Sequence, residues 1–410
     1  MHIILIFKNL RVNSLHWYAN LNAVAKKTTT RALLGAAFLM ATSAVGPGFL
    51  TQTTVFTQQL TTSFGFIILI SVVIDLCVQF NIWQIITVSG KRAQDLANEL
   101  FPGLGYFLAF LIAIGGLAFN IGNVAGAGLG IQAMTGIPVY LGAIGSAALA
   151  VGIFLMKEAG RALDGFFKIL GLLMIGLILF VAFTSHPQLG AAIYHTFLPE
   201  KFDAIATLTL VGGTVGGYIS FAGAHRLLDS GVKGVSGLPV VNRSASTGIV
   251  VTAVIRYFLF LATLGIILTG AMIDPENPTA SVFEHAAGSF GKQMFGLMIW
   301  CAGITSVVGA AYTSVSFLRS FHPFLEKYHT YVTICFIVIS TVIFLVIGKP
   351  VKVLIFVGTL NGFVLPVAMA ILLVACTKSR LVASYKHPLI LQFAGWLIVA
   401  ILLAMGTRFF

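Results

Sequence analysis

Val45-Gly46-Pro47-Gly48-Phe49 and, far downstream, Gly212-Gly213-Thr214-Val215-Gly216-Gly217-Tyr218 interrupt two apolar stretches that are otherwise long enough to cross a bilayer. A membrane helix exposes bare backbone only where protein or water satisfies the freed N–H and C=O groups, so a break at mid-bilayer depth lines a cavity. Glycine is also a common packing residue of membrane helices. For either break alone, a packing kink is an equal reading. Two breaks at corresponding places in two halves favour a solute site between them, and with it a transporter.

Outward from these breaks, composition sets the class. Of 410 residues, 58% are hydrophobic and only 9% charged, and the mean hydropathy is +1.00. That excludes a soluble globular protein and indicates an all-α polytopic membrane protein. Cys77, Cys301, Cys335 and Cys376 fall in four separate apolar segments without CxxC spacing, so neither a disulfide framework nor a zinc site is indicated. A window of bilayer length gives eleven spans, at roughly 32–59, 64–88, 103–132, 138–156, 167–185, 205–225, 246–272, 290–316, 330–347, 351–376 and 389–407. Residues 1–31 carry Lys8, Arg11, Lys26, Lys27 and Arg31 without an acid and read as a basic cytoplasmic tail. With the N-terminus inside, 18 of the 24 Lys and Arg residues fall in cytoplasmic segments and five outside, with Arg256 inside a span. This asymmetry orients the N-terminus to the cytoplasm. The net charge of +12 is then topology rather than a nucleic-acid footprint, because no basic run is interleaved with aromatics.

Spans 1–5 and 6–10 form two five-helix units of opposite orientation, since an odd number of crossings inverts the second. The division is a first repeat over 32–185, a second over 205–376, and an added C-terminal helix within 377–410. Both breaks fall in the first helix of a unit, spans 1 and 6. The segment 226–245 reads as the longest cytoplasmic loop and a hinge region.

The runs Ala36-Ala37-Phe38-Leu39 to Gly46-Pro47-Gly48, Val88-Ser89-Gly90-Lys91-Arg92 to Asp95-Leu96-Ala97, Gly136-Ile137-Pro138 and Val211-Gly212-Gly213-Thr214-Val215 resemble the NRAMP divalent-metal transporters from about 32 to 376. The resemblance implies a LeuT-like 5+5 inverted repeat of the amino acid–polyamine–organocation superfamily, alternating access, and a divalent cation as substrate. In that family the first break reads Asp-Pro-Gly-Asn and the sixth span Ala-x-x-Met-Pro-His. Their aspartate, asparagine and methionine side chains and a backbone carbonyl hold the metal. Here these positions read Gly46-Pro47-Gly48-Phe49 and Gly213-Thr214-Val215-Gly216-Gly217-Tyr218, so every side-chain ligand is absent. The family's Thr-Asp-x-Ala-Glu-Val of span 3 aligns with Phe119-Asn120-Ile121-Gly122-Asn123-Val124, with both acids replaced by amides. Proton coupling by the family's route is thereby in doubt. A neutral site has no soft ligand to select manganese or iron, and a hard, partly hydrated ion such as Mg²⁺ suits it better. Magnesium sites normally include a carboxylate, however.

The candidate substrate-binding residues are Gly46, Phe49, Gln52, Gly213, Gly216, Gly217, Tyr218 and Asn361. Thr51, Thr53, Thr54, Thr305 and Ser306 offer further polar contacts. Asn120 and Asn123, three apart on one helix face, line a polar path or tie helices together, with equal weight. Asp75 and Arg256 lie inside spans, where an unpaired charge costs roughly 2.5–3.5 kcal/mol on insertion scales. They are expected to pair with each other or to gate a vestibule, Arg256 attracting an anion. His225, at the inner end of span 6, lies two positions beyond the family's second histidine, whose role does not transfer to it.

The half-helix N-termini after Gly48 and Gly217 also suit a carboxylate, which gives a second substrate class, a small organic anion or amino acid. No nucleophile with a base, HExxH motif or P-loop points to an enzyme, and no cofactor is implied. The expected setting is a bacterial inner membrane, with the lipid bilayer and a small solute or divalent cation as partners. Oligomeric state is left open.

Overall fold

The computed structural model describes residues 45–155, 157–382 and 385–408. The tail expected over 1–31 and the first part of span 1 lie outside the described residues. Every regular element among those described is helical. The first, α1 (Pro47–Leu60), has 14 residues and therefore a length of about 21 Å, short of a bilayer core of about 30 Å. A helix of that length does not cross a bilayer by itself. Thr61, at φ 50° and ψ −128°, ends it before α2 (Phe64–Ser89), which Gly90 closes in the left-handed region by bonding back to Ile86 and Thr87.

There follow α3 (Ala93–Leu100), α4 (Leu104–Thr135), α5 (Val139–Leu155), α6 (Lys157–Thr184) and α7 (Leu189–Phe197). The second half runs through α8 (Ala204–Val215), α9 (Ile219–Asp229), α10 (Leu238–Leu268), α11 (Pro278–Leu318), α12 (Pro323–Lys327), α13 (His329–Ile347), α14 (Pro350–Cys376) and α15 (Leu389–Gly406). Eight helical stretches among the described residues are long and apolar enough to cross a membrane, or nine if the pair 171–184 and 189–197, bent by 108°, is one span. Eleven spans are expected from sequence. The smaller count arises because α5 has 17 residues and because α1 and α2 run on as one 43-residue stretch. That stretch would measure about 65 Å if straight, twice a bilayer, so the turn at Thr61 makes it two elements. A second correction concerns the loop expected over 226–245. It shrinks to 230–237, because α9 runs to Asp229 and Pro239 sits in the first turn of α10, where a missing N–H costs nothing.

Burial sorts the helices into centre and periphery. The broken stretch Ala204–Asp229 is 94% buried over its apolar window, whereas α13 and α15 are 33% and 28% buried. The peripheral helices nevertheless present Val346, Ile390 and Phe393 outward. An apolar exterior around a packed centre is what a lipid solvent selects. Lipid supplies no hydrophobic drive for helix pairing, so close packing of small residues does the work. Thus α4 meets α11 where Gly130 lies against Gly296 and Trp300, and Gly303 against Ala127.

At the end rich in Lys and Arg, Arg92 Nη2 meets Asp229 at 3.2 Å and Lys91 meets Glu99 at 2.6 Å, both exposed pairs. There Asn81 donates to Leu391 O at 3.1 Å and accepts from His387 Nε2 at 2.9 Å, which pins α15 to α2. Burial pushes the His387 imidazole down to about 4.

Candidate substrate site at the helix breaks

Gly46 is extended (φ −107°, ψ −173°) and caps α1, its carbonyl accepting from Leu50 N at 3.3 Å. The second break is longer. After Val215 the chain extends at Gly216 (φ −77°, ψ 165°) and then turns left-handed at Gly217 (φ 54°), a conformation that favours glycine, before Tyr218 starts α9. The freed backbone groups find partners nearby. Gly216 N donates to Gly212 O at 3.1 Å, Ile219 N to Gly216 O at 3.2 Å, the Ser220 hydroxyl to Val215 O, and Trp83 Nε1 to Ser220 O at 2.7 Å.

Between the breaks lies a narrow cavity of about 20 Å³, room for a water molecule or two. Its walls are Gly46, Gly48, Phe49 and Gln52 of α1, Gly213 of α8, Phe119, Gly122 and Asn123 of α4, and Leu354 and Val357 of α14. The cavity thus touches both discontinuous segments. Gln52 Nε2 donates to Leu354 O at 2.8 Å, while Gln52 Oε1 is buried without a partner and lies against Gly213, where a side chain would collide with it. Asn123 Oδ1 and Ser306 Oγ flank Gly46. No carboxylate lines the cavity, and the described residues hold no cluster of His, Cys, Asp or Glu able to grip a metal ion.

Of the substrate-binding residues expected from sequence, Gly46, Phe49, Gln52 and Gly213 meet in this cavity, together with Asn123. Gly216, Gly217, Tyr218 and Asn361 gather behind Phe119, outside it. Tyr218 packs edge-on against Phe119 with ring centroids 5.6 Å apart. Asn361 Nδ2 donates to Gly115 O at 3.1 Å and Val357 O at 2.9 Å, and its unpartnered Oδ1 rests on Gly217. Asn120 turns the other way, donating to Ser340 Oγ of α13 at 3.0 Å, so of the two amides one ties helices together and the other faces the cavity. Thr53 and Thr54 donate to carbonyls of their own helix, Phe49 O at 2.7 Å and Leu50 O at 3.2 Å. His225 Nε2 accepts from Ala93 N at 3.4 Å at the start of α3, away from the cavity. Sequence reasoning missed Phe119, Gly122, Leu354 and Val357. Their spacing, with Asn123 and Asn361 completing i, i+3, i+4 and i, i+3, i+7 stripes, is the signal that marks them as one-sided.

Asp75 and Arg256 are both buried. They are near enough to interact electrostatically, but no N–O contact within 4.0 Å joins them among the described residues. Arg256 Nη1 instead donates to Thr214 Oγ1 of α8 at 2.9 Å, and its guanidinium lies over the Phe49 ring, Cζ 4.1 Å from the centroid. One side chain therefore touches both discontinuous segments beside their breaks.

An apolar helical bundle wrapped around a discontinuous span, with a cavity at the discontinuity, is the architecture of a membrane transporter of the LeuT-like kind. The chain belongs to the NRAMP family, whose model, described as natural resistance-associated macrophage protein-like, matches residues 37–410. An uncharacterized membrane protein of Bacillus subtilis, YcsG, is 55% identical over 374 residues, which is 91% of this chain and 93% of that protein. An uncharacterized membrane protein of Haemophilus influenzae is 54% identical over 377 residues, 92% of this chain and 95% of that one. Among solved structures, the manganese transporter of Eremococcus coleocola, in a histidine-to-alanine mutant, superposes with a TM-score of 0.72 at 16% identity, covering 93% of this chain and 86% of its own. MhsT in complex with L-phenylalanine superposes with a TM-score of 0.67 at 14% identity, covering 91% of this chain and 98% of its own. At these identities the structural likeness speaks for the fold.

Proposed function

We propose that this chain is a secondary transporter that carries one small solute by alternating access through the cavity between the two breaks. The supporting observation is the cavity itself, walled by both discontinuous segments. Rocking of either segment against α4 and α14 opens it to one side or the other. The family, and a structural neighbour that is a manganese transporter, make a divalent metal ion of the Mg²⁺ or Mn²⁺ type the first substrate class. Such an ion would meet the neutral amide oxygens of Gln52 and Asn123, with water completing its shell. That donor set is hard and weak, which favours Mg²⁺ over softer ions and fast release over tight binding. The chain carries no family-type acids in α4 to relay a proton, so coupling to protons follows another route or is absent. We place the Lys- and Arg-rich end, with Arg92 and Asp229, on the cytoplasmic side. The repeat boundaries at 32–185 and 205–376 belong to the same proposal.

A specific observation favours a second reading, a small organic anion or amino acid. Arg256 sits directly behind Phe49. A guanidinium beside the cavity wall opposes a cation and attracts an anion.

Uptake into proteoliposomes separates the readings. Mg²⁺ and Mn²⁺ influx, followed with an entrapped indicator, is compared with influx of radiolabelled small carboxylates and amino acids. Gly46→Leu serves as a plug, because a side chain at Gly46 points into the cavity with ordinary contacts of 3.6 Å. Saturable metal influx abolished by the plug supports the metal reading. Plug-sensitive influx of a carboxylate alone moves the assignment to the second. Absence of any plug-sensitive flux refutes the transport reading.

A further inference from the structure

A guanidinium presents five N–H donors, and one buried among apolar helices needs acceptors for them. Arg256 has its Nη1 on Thr214, but Nε and Nη2 are buried without a partner. These two nitrogens form one edge of the guanidinium, the edge whose parallel N–H bonds grip both oxygens of a carboxylate. The opposite edge is already committed to α8. The flat face is committed as well, to Phe49, at a distance that a cation–π contact favours. Thr214 offers nothing further to an incoming group, since its hydroxyl hydrogen goes to Leu210 O at 2.8 Å. The free edge is thus held in one orientation by contacts on its other sides.

Asp75 is the ionisable group that interacts with Arg256 from α2, and it does not close on that edge. Its Oδ1 has no partner, and no N–O contact within 4.0 Å joins the two side chains among the described residues. Phe49 is shared between this site and the cavity, its ring lining one and carrying the guanidinium of the other. The edge is closed in this conformation, Nε and Nη2 both being buried, so an anion enters from the cavity only with movement of Phe49.

We infer that the Nε–Nη2 edge of Arg256 is a binding site for one small monovalent anion, a carboxylate or a halide, reached from the cavity past Phe49. The carboxylate can belong to an organic cargo, in which case the site deepens the second reading above and rests on it. A halide bound there leaves the cargo undecided and counterbalances the guanidinium next to a cation-bearing cavity.

The test is thermal stability of the full-length protein in lipid nanodiscs, titrated with sodium chloride, sodium acetate and sodium L-lactate at constant ionic strength, with the bulky HEPES anion as balance. At least one of these is expected to raise the melting midpoint saturably. The response disappears in Arg256→Gln. In Arg256→Lys the carboxylate response weakens more than the chloride response, because an ammonium lacks the paired edge. Asp75→Asn replaces a carboxyl that interacts with the guanidinium by a neutral isostere, so the anion's apparent dissociation constant stays the same or falls. A response to chloride alone assigns the site to an inorganic ion, and a response to carboxylates alone assigns it to an organic one. The inference is overturned by absence of a saturable response to all three salts, by a response that survives Arg256→Gln, or by weaker binding in Asp75→Asn. Should Arg256→Gln fail to fold, the Lys and Asn variants decide the matter between them. Proteoliposome flux is measured separately, so a protein that binds an anion but moves nothing refutes the transport reading alone.

Discussion

The two breaks use glycine for opposite reasons. At the first, Gly46 and Gly48 line the cavity, and a methyl group added to either would meet its nearest neighbours at an ordinary 3.6 Å. At the second, glycine is where backbone meets backbone or a buried amide. A side chain at Gly212 would collide with Gly358 O and Gly362 N of α14, and one at Gly217 with Asn361. The first break makes room, while the second is filled by protein and closed by Ser220 and Trp83. A discontinuity in sequence therefore marks a place where backbone is unpaired by its own helix. What occupies that place, solute or neighbouring helix, differs between two motifs that read alike.

The largest test of this contrast is Gly212→Val. With α14 backbone on the far side there is nowhere for the side chain to go, and overpacking of several kcal/mol is expected. Fluorescence-detected size exclusion should show loss of the monodisperse protein, and a variant as stable as wild type would dissolve the contrast. Next comes Trp83→Phe, which removes the indole donor to Ser220 O and with it a tie between α2 and the second break. A cost of about 0.5–1.5 kcal/mol is expected as a lower melting midpoint.

His387 provides a comparison away from both breaks. Its imidazole is held neutral, with a folded-state value of about 4 against an ordinary 6.5. The unfolded chain takes up the proton first, so stability is full above pH 6.5 and falls as pH drops towards about 4, with no further loss from this group below that. His387→Gln should flatten the melting midpoint over that window. An unchanged slope would mean that another group controls it. The smallest effect belongs to Gly46→Ala, expected to fold within about 1 kcal/mol of wild type because the cap stays extended and its neighbours lie at van der Waals distance. A large destabilisation would show that the first break is as tightly packed as the second.

Much of the architecture is legible in the chain because bilayer thickness acts on sequence directly. The expected span 64–88 is α2, 330–347 is α13 and 351–376 is α14, each within a residue or two. Boundaries failed where no apolar length rule operates. Polar residues 226–245 read as a loop, yet Pro239 and the following residues start α10 within them. The site was legible in part. Gln52 and Asn123 could be named because polar side chains inside spans are conspicuous, whereas Phe119, Gly122, Leu354 and Val357 carry no polar group and only their spacing from Asn123 and Asn361 marks them before the helices are assembled.

By itself, the sequence determined that this is a helical membrane protein with two interrupted spans, an interior poor in charge and no acid at either break. Those follow from transfer free energies and backbone chemistry, which are properties of residues one at a time. Only the tertiary structure decided that Asn120 and Asn123 serve different neighbours, that Asp75 does not touch Arg256, and that Arg256 bridges Phe49 and Thr214 with one edge unoccupied by protein. A side chain's direction is set by which helices pack against it, and residues far apart in the chain meet only when those helices do.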